Sequence, residues 1–215
     1  YRHGRAKVVT AGRWRRVPSA PARVTPTDDG VFALGGMRAE PISADARVTV
    51  ELYTTAVRGE ARWDLSFRFP KPNASFALEL DDEPPVIVDA RDGNGAAVRH
   101  LEVTGRAGGE LSLGRFVGPV ELFGVTVEGT GPGVVLDTVG IDGARIGTLL
   151  AWDEPTFVGE LRRRAPDLVV LAFGTNEAFA EEDVARYADQ YARVMARVRA
   201  AAPAAGCALL GPTNV

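Results

Sequence analysis

A chain of 215 residues, 46% of them hydrophobic, holds enough apolar side chain to bury one large core or two modest ones without disulfides or a structural metal. Its 25 basic residues against 28 acidic ones leave a net charge of −3, too weak a field to draw in nucleic acid, which is excluded as a partner. No apolar run approaches the roughly 18 residues of a membrane span, and the opening YRHGRAKVV lacks the apolar segment of a signal peptide.

Residues 1–30 read as a lead-in whose basic runs, RHGRAK and RWRR, suit a solvated strand, with contact to an anionic glycan as the sharper alternative. From 31 to 131 the chain alternates apolar and polar residues over short runs such as ARVTVELYTT, WDLSFRF, SFALELD, AVRHLEVTG and VELFGVTVEG. Turn-forming clusters (PKPN, DDEPP, RDGNG, RAGGE) separate them. Many short strands with no helical run predict an antiparallel, jelly-roll-like β-sandwich. Asp81, Asp82 and Glu83, and likewise Asp92 with Asn94, bring oxygens together as a calcium loop does. Both stretches lack the further oxygens and closing glutamate such a loop needs, so they read as hairpin turns. Trp14, Trp63 and Trp152 suit either sugar stacking or burial.

From 132 to 215 the period changes. GVVLDTVGIDG reads as a strand and loop, DEPTFVGELRRRA as a helix, DLVVLAFG as a buried strand, EEDVARYADQYARVMARVRAAA as a second helix and CALLGPT as a strand. Asp153 is placed to cap the first helix, with Pro155 in its opening turn and Pro166 beyond its end. Glu181, Glu182 and Asp183 sit at the positive end of the second helix; Arg193, Arg197 and Arg199 lie toward its negative end. Val184, Tyr187, Tyr191, Val194 and Val198 recur every three or four residues as one stripe facing a sheet. Strands alternating with helices predict a parallel sheet covered on both faces, in which the single cysteine, Cys207, is an inert buried thiol. The fold class is therefore α/β and β: a sandwich followed by part of a doubly wound, flavodoxin-like α/β/α domain. Three strands are few for such a domain, and the last ends at Val215 with its outer edge unpaired, so the sequence reads as an interior piece of a longer protein.

In open parallel sheets, ligands sit beyond the carboxyl ends of the strands. Two loops fall there: Gly140–Gly143 after the first α/β strand, and Gly174, Thr175, Asn176 and Glu177 after the second. A main-chain N–H at Gly143 and a carboxamide N–H at Asn176, converging on one point, make the donor pair that a developing oxyanion requires. Glycine has no Cβ to block approach; asparagine donates without adding charge. The plainer reading of Asn176 is a turn-forming residue after a buried strand.

The segments LDTVGIDGA and LVVLAFGTNEA resemble the second and third conserved blocks of the SGNH, or GDSL-like, serine esterases. On that resemblance Gly143 and Asn176 are the oxyanion-hole residues, while Gly174, Thr175 and Glu177 support the loop; Glu177 stands where the family usually carries aspartate. The order of the chain, β domain first and second block immediately after, is similar to peptidoglycan O-acetylesterases in which a carbohydrate-binding-module-like domain is inserted between the first two blocks. The family's Gly-Asp-Ser nucleophile block and Asp-x-x-His pair have no counterpart in these residues: the serines lie in PSAP, PISADA, DLSFRF, NASFAL and ELSLGR, and neither His3 nor His100 stands in the α/β part. The resemblance implies an esterase acting on O-acetyl groups of a bacterial polysaccharide outside the cytoplasm, with an acetylated polysaccharide as partner and no metal or organic cofactor. A polysaccharide O-acetyltransferase and a non-catalytic glycan-binding protein are the alternatives.

Overall fold

The computed structural model describes residues 6–19, 29–52, 59–92 and 97–212. His3, Asn94 and the side chain of Asp92 lie outside the described residues. The chain divides into two compact units, Tyr1–Val17 with Arg38–Thr138, and Pro18–Met37 with Val139–Val215.

The first unit is built from β1 (Ala6–Ala11), β2 (Trp14–Pro18), β3 (Met37–Pro41), β4 (Arg47–Leu52), β5 (Glu60–Arg68), β6 (Ser75–Leu80), β7 (Val86–Asp89), β8 (Arg99–Arg106), β9 (Glu110–Val117) and β10 (Glu121–Gly129). They form two five-stranded sheets, β1-β4-β9-β6-β7 and β2-β3-β10-β5-β8, whose described pairings are antiparallel. The period-2 pattern decides the core. In β5, flanked by β8 and β10, Ala61, Trp63, Leu65 and Phe67 are at most 2% exposed and pack with Phe76, Leu78, Leu111 and Leu113 of the other sheet. Each large side chain sealed in this way contributes about 1.5–3 kcal/mol. Phe76 meets Phe67 edge-on at 5.1 Å between ring centroids, the offset that aromatic quadrupoles favour. The alternate positions of the second sheet carry charge, and charge buried there has to be paired: Arg68 meets Glu121, and Arg38 meets Glu40 at 3.1 Å.

The second unit starts before the sandwich is finished. Phe32, Trp152 and Phe157 are buried together, with ring centroids 5.9 Å and 6.1 Å apart in succession, and Asp153 N–H donates to Gly30 O at 2.9 Å. A 3₁₀ turn, Ile146–Leu150, leads into α1 (Glu154–Arg164), followed by β11 (Leu168–Ala172), α2 (Thr175–Phe179), α3 (Val184–Ala201) and β12 (Gly206–Leu210). Asp153 caps α1, its carboxylate accepting from Thr156 N–H at 2.9 Å. Ala165 ends the helix in the left-handed region at φ +45°, with Pro166 beyond. β11 and β12 pair in parallel, Leu168 opposite Gly206 through Ala172 opposite Leu210, and α2 and α3 make the crossover that parallel strands need. Arg197 of α3 does more than complement a helix dipole: it donates to Leu149 O at 2.8 Å and Trp152 O at 3.2 Å, tying the 3₁₀ turn to the helix. Among the described residues no helix is long and apolar enough to cross a membrane.

The fold class is the one expected, β-sandwich plus α/β, but the boundaries and several elements differ. The lead-in 1–30 is not a separate segment: β1 pairs with β4, β2 sits at the edge of the second sheet, and residues 18–37 go with the α/β unit. The strand expected in GVVLDTVGIDG does not form. Val134, Val135 and Leu136 are 97%, 59% and 82% exposed, because an extended segment becomes a strand only where a neighbour satisfies its backbone, and no described strand pairs with it. The α/β sheet thus has two described strands, not three. Among the described residues only the face carrying Leu171 (6% exposed) is covered, while Leu168 and Val170 are 58% and 51% exposed. Val184 is 78% exposed at the first position of α3, leaving Val194 and Val198 as the buried part of the stripe, with Tyr187 and Tyr191 half-buried.

Cys207 is exposed, not buried, because β12 has neither a covering layer nor a second neighbour among the described strands.

Candidate oxyanion site

The Gly-Thr-Asn-Glu stretch is not an open loop. β11 runs out at Ala172, and after Phe173 and Gly174 the chain turns straight into the five-residue α2. Gly174 is the N-cap with φ +123°, where a Cβ would stand 2.8 Å from Pro212 Cδ and 3.1 Å from the Tyr187 hydroxyl. Both constraints demand glycine. Gly174→Ala is expected to destabilise the protein by about 1–3 kcal/mol, read as a lower urea midpoint at unchanged slope; an unshifted midpoint contradicts the strain.

On the other side lies the turn Ile141–Ala144, closed by Ala144 N–H donating to Ile141 O at 3.1 Å. Gly143 takes its third position with φ +70°, the geometry of a type II turn and the reason a glycine stands there. It is exposed, and among the described residues its N–H has no partner.

Asn176, half-buried at the second position of α2, donates one amide hydrogen to Ala144 O at 2.8 Å. That bond brings the carboxamide against the residue following Gly143 and sets which way the amide faces. A second hydrogen remains on Nδ2.

Glu177 joins the two loops. It is 4% exposed; one carboxylate oxygen accepts from Ile146 N–H at 2.6 Å and the other from Gly174 N–H at 2.9 Å. The second bond is the reciprocal half of a capping box, the third residue of a helix reaching back to its N-cap. The first ties α2 to the 3₁₀ turn that follows Gly143. Since each oxygen is held by a main-chain N–H, the carboxylate is kept within the scaffold and its charge is offset where it lies. Tyr187 packs beside this cluster. Burial first, then its hydrogen bond to Tyr191 and the charges of Tyr191 and Glu177, push its phenol well above the usual range, so it stays neutral next to the carboxylate. Thr175 is exposed and opens α2.

The Glu177 carboxylate thus gathers Gly174 and Ile146, and the Asn176 amide gathers Ala144, all within one unit. The residues that sequence reasoning missed are Ala144 and Ile146. They act through main-chain groups, so no side-chain signal marks them. His100 stands on β8 of the sandwich with Nδ1 3.4 Å from Asp64 Oδ1. Ser43 and Ser112 are occupied by Arg13 N–H and the Thr49 hydroxyl, both at 2.8 Å. Asp81, in the turn after β6, accepts from Glu110 N–H at the start of β9 at 3.0 Å. Trp63 and Trp152 are 0% and 3% exposed, whereas the Trp14 indole donates to Ala11 O at 2.8 Å. No group of three or more His, Cys, Asp or Glu side chains able to hold a metal occurs among the described residues.

This turn-and-helix pair on a parallel α/β unit falls within a segment, residues 118–215, that matches the GDSL-like Lipase/Acylhydrolase family. Among solved structures the chain is similar to a peptidoglycan O-acetylesterase at TM-score 0.69 and 21% identity, over 94% of this chain and 52% of that one. The likeness shows a shared fold, and this chain spans about half the length of that protein. Weaker matches are a family two carbohydrate esterase from Cellvibrio japonicus (TM-score 0.33, 13% identity, 95% of this chain and 78% of that one) and a family 35 carbohydrate-binding module from Clostridium thermocellum (TM-score 0.36, 13% identity, 56% and 90%). Both are too distant to carry an argument. No curated protein sequence matches the chain.

Proposed function

We propose that the protein is an SGNH-type serine esterase that removes O-acetyl groups from a bacterial polysaccharide outside the cytoplasm, with peptidoglycan the leading substrate. The observation that carries this reading is the junction of the two loops: Asn176 Nδ2 to Ala144 O at 2.8 Å, beside the unused Gly143 N–H. The match of residues 118–215 to an acylhydrolase family supports it.

In this reading a serine hydroxyl outside these 215 residues attacks the acetyl carbonyl. The C=O π pair moves onto oxygen, and the Gly143 N–H and the free Asn176 amide hydrogen stabilise that oxyanion. A general base, likewise outside these residues, takes the serine proton and passes it to the departing sugar oxygen, so collapse releases the sugar hydroxyl and leaves an acetyl-serine, which water hydrolyses to acetate and free serine. The donors are held before the reaction by Glu177 and Ala144, so they need no reorganisation as charge develops. The experiment is acetate release from O-acetylated peptidoglycan by the full-length protein, with de-O-acetylated peptidoglycan as blank. Acetate above the blank is expected; retention of the glycan with no acetate released favours a binding protein and overturns the esterase reading.

A further inference from the structure

Gly143 is followed at once by Ala144, Arg145 and the 3₁₀ turn Ile146–Leu150. A turn that short does not hold itself, because its i→i+3 bonds are poorly aligned and its last carbonyls find no partner within it. Glu177 fixes its first residue through the Ile146 N–H at 2.6 Å. Arg197 of α3 fixes its far end. The guanidinium donates to Leu149 O at 2.8 Å, Trp152 O at 3.2 Å and Leu150 O at 3.4 Å, while its Nε stands 3.0 Å from Glu154 Oε2. One planar fork thus serves three main-chain acceptors and a carboxylate, with 12% of the side chain exposed. Gln190 lies two turns earlier on the same face of α3. It meets the turn as well: a Cβ on Gly147 would stand 3.0 Å from either polar atom of its amide. No described strand pairs with residues 132–143, so the turn that follows is a main support of the Gly143 peptide.

We propose that Arg197 is a positioning residue of the candidate oxyanion site, holding the far end of the 3₁₀ turn so that the Gly143 N–H keeps its aim. The inference rests on the esterase reading above and adds a residue that its place in the sequence assigned only to the negative end of a helix dipole. The guanidinium touches neither ester nor oxyanion. It reaches the chemistry because a main-chain donor stabilises developing charge only when it is already aimed as the charge appears. A purely structural tie makes a different demand: it lowers the melting temperature and leaves the turnover of folded molecules unchanged.

The test measures kcat and KM of the full-length protein on 4-nitrophenyl acetate, below the melting transition of every variant, for wild type, Arg197→Ala, Arg197→Lys and Glu154→Gln. Arg197→Ala is expected to lower kcat about tenfold with little change in KM, and millimolar guanidinium, but not methylammonium, to restore part of it. Arg197→Lys should also fall, since one ammonium cannot span three carbonyls, and it carries the comparison if the alanine variant does not fold. Glu154→Gln breaks only the ion pair and should keep wild-type kcat. Unchanged kcat in the folded Arg197 variants, or an equal loss in Glu154→Gln, overturns the proposal and leaves the esterase reading intact. A wild-type protein that releases acetate neither from this ester nor from O-acetylated peptidoglycan overturns both.

Discussion

Asn176→Ala in the full-length protein is expected to cut kcat on acetyl esters by about 100- to 1000-fold, a loss of about 2.7–4 kcal/mol of transition-state stabilisation. KM should move little, because a donor aimed at charge that appears only during attack contributes almost nothing to the bound ester. The variant also loses the bond to Ala144 O. A single half-buried neutral hydrogen bond is worth about 1 kcal/mol, so the melting temperature should fall by only a few degrees and the catalytic loss cannot be assigned to unfolding. Turnover within fivefold of wild type would falsify the role given to Asn176.

The second large effect is on stability and belongs to Glu177. Its carboxylate satisfies two main-chain N–H groups, Ile146 at 2.6 Å and Gly174 at 2.9 Å, at a site 4% exposed. Glu177→Ala leaves both donors buried without acceptors, at about 1–3 kcal/mol each. For a unit of this size each kcal/mol lowers the melting temperature by about 4–8 °C, so a drop of 10 °C or more is expected. Glu177→Gln keeps the shape and one accepting oxygen but turns an NH₂ toward the other N–H, and should fall between the two. The ranking wild type, Gln, Ala in thermal unfolding is the check. If Gln and Ala melt together at the wild-type temperature, the two loops are joined by something other than this side chain. Turnover should fall with the same ranking, since loosening the clamp lets the Gly143 turn and α2 drift apart.

Much of this was readable before any coordinates. Alternation in β5 and β9 gave the sandwich and the Asp153 cap with Pro155 gave α1; Gly143 and Asn176 could be singled out only as a proposed donor pair, because their residue types suit only a few tasks. Glu177 was legible as a supporting residue, but its reach to Ile146, thirty-one positions away, was not. The errors share a cause. GVVLDTVGIDG and CALLG carry the composition of buried parallel strands, yet burial depends on what lies alongside, and there Val134, Leu136 and Cys207 meet solvent.

What the sequence determined by itself is therefore local: the period of each element, the caps that start its helices, and the glycines whose positive φ no other residue adopts cheaply. Tertiary structure alone decided which distant segments meet. It sent residues 18–37 to the α/β unit, placed Trp152 against Phe32, and brought the Ala144 carbonyl to Asn176. The physical reason is that main-chain N–H and C=O groups are the same at every position, so their partners are chosen by packing and leave no mark in the order of side chains.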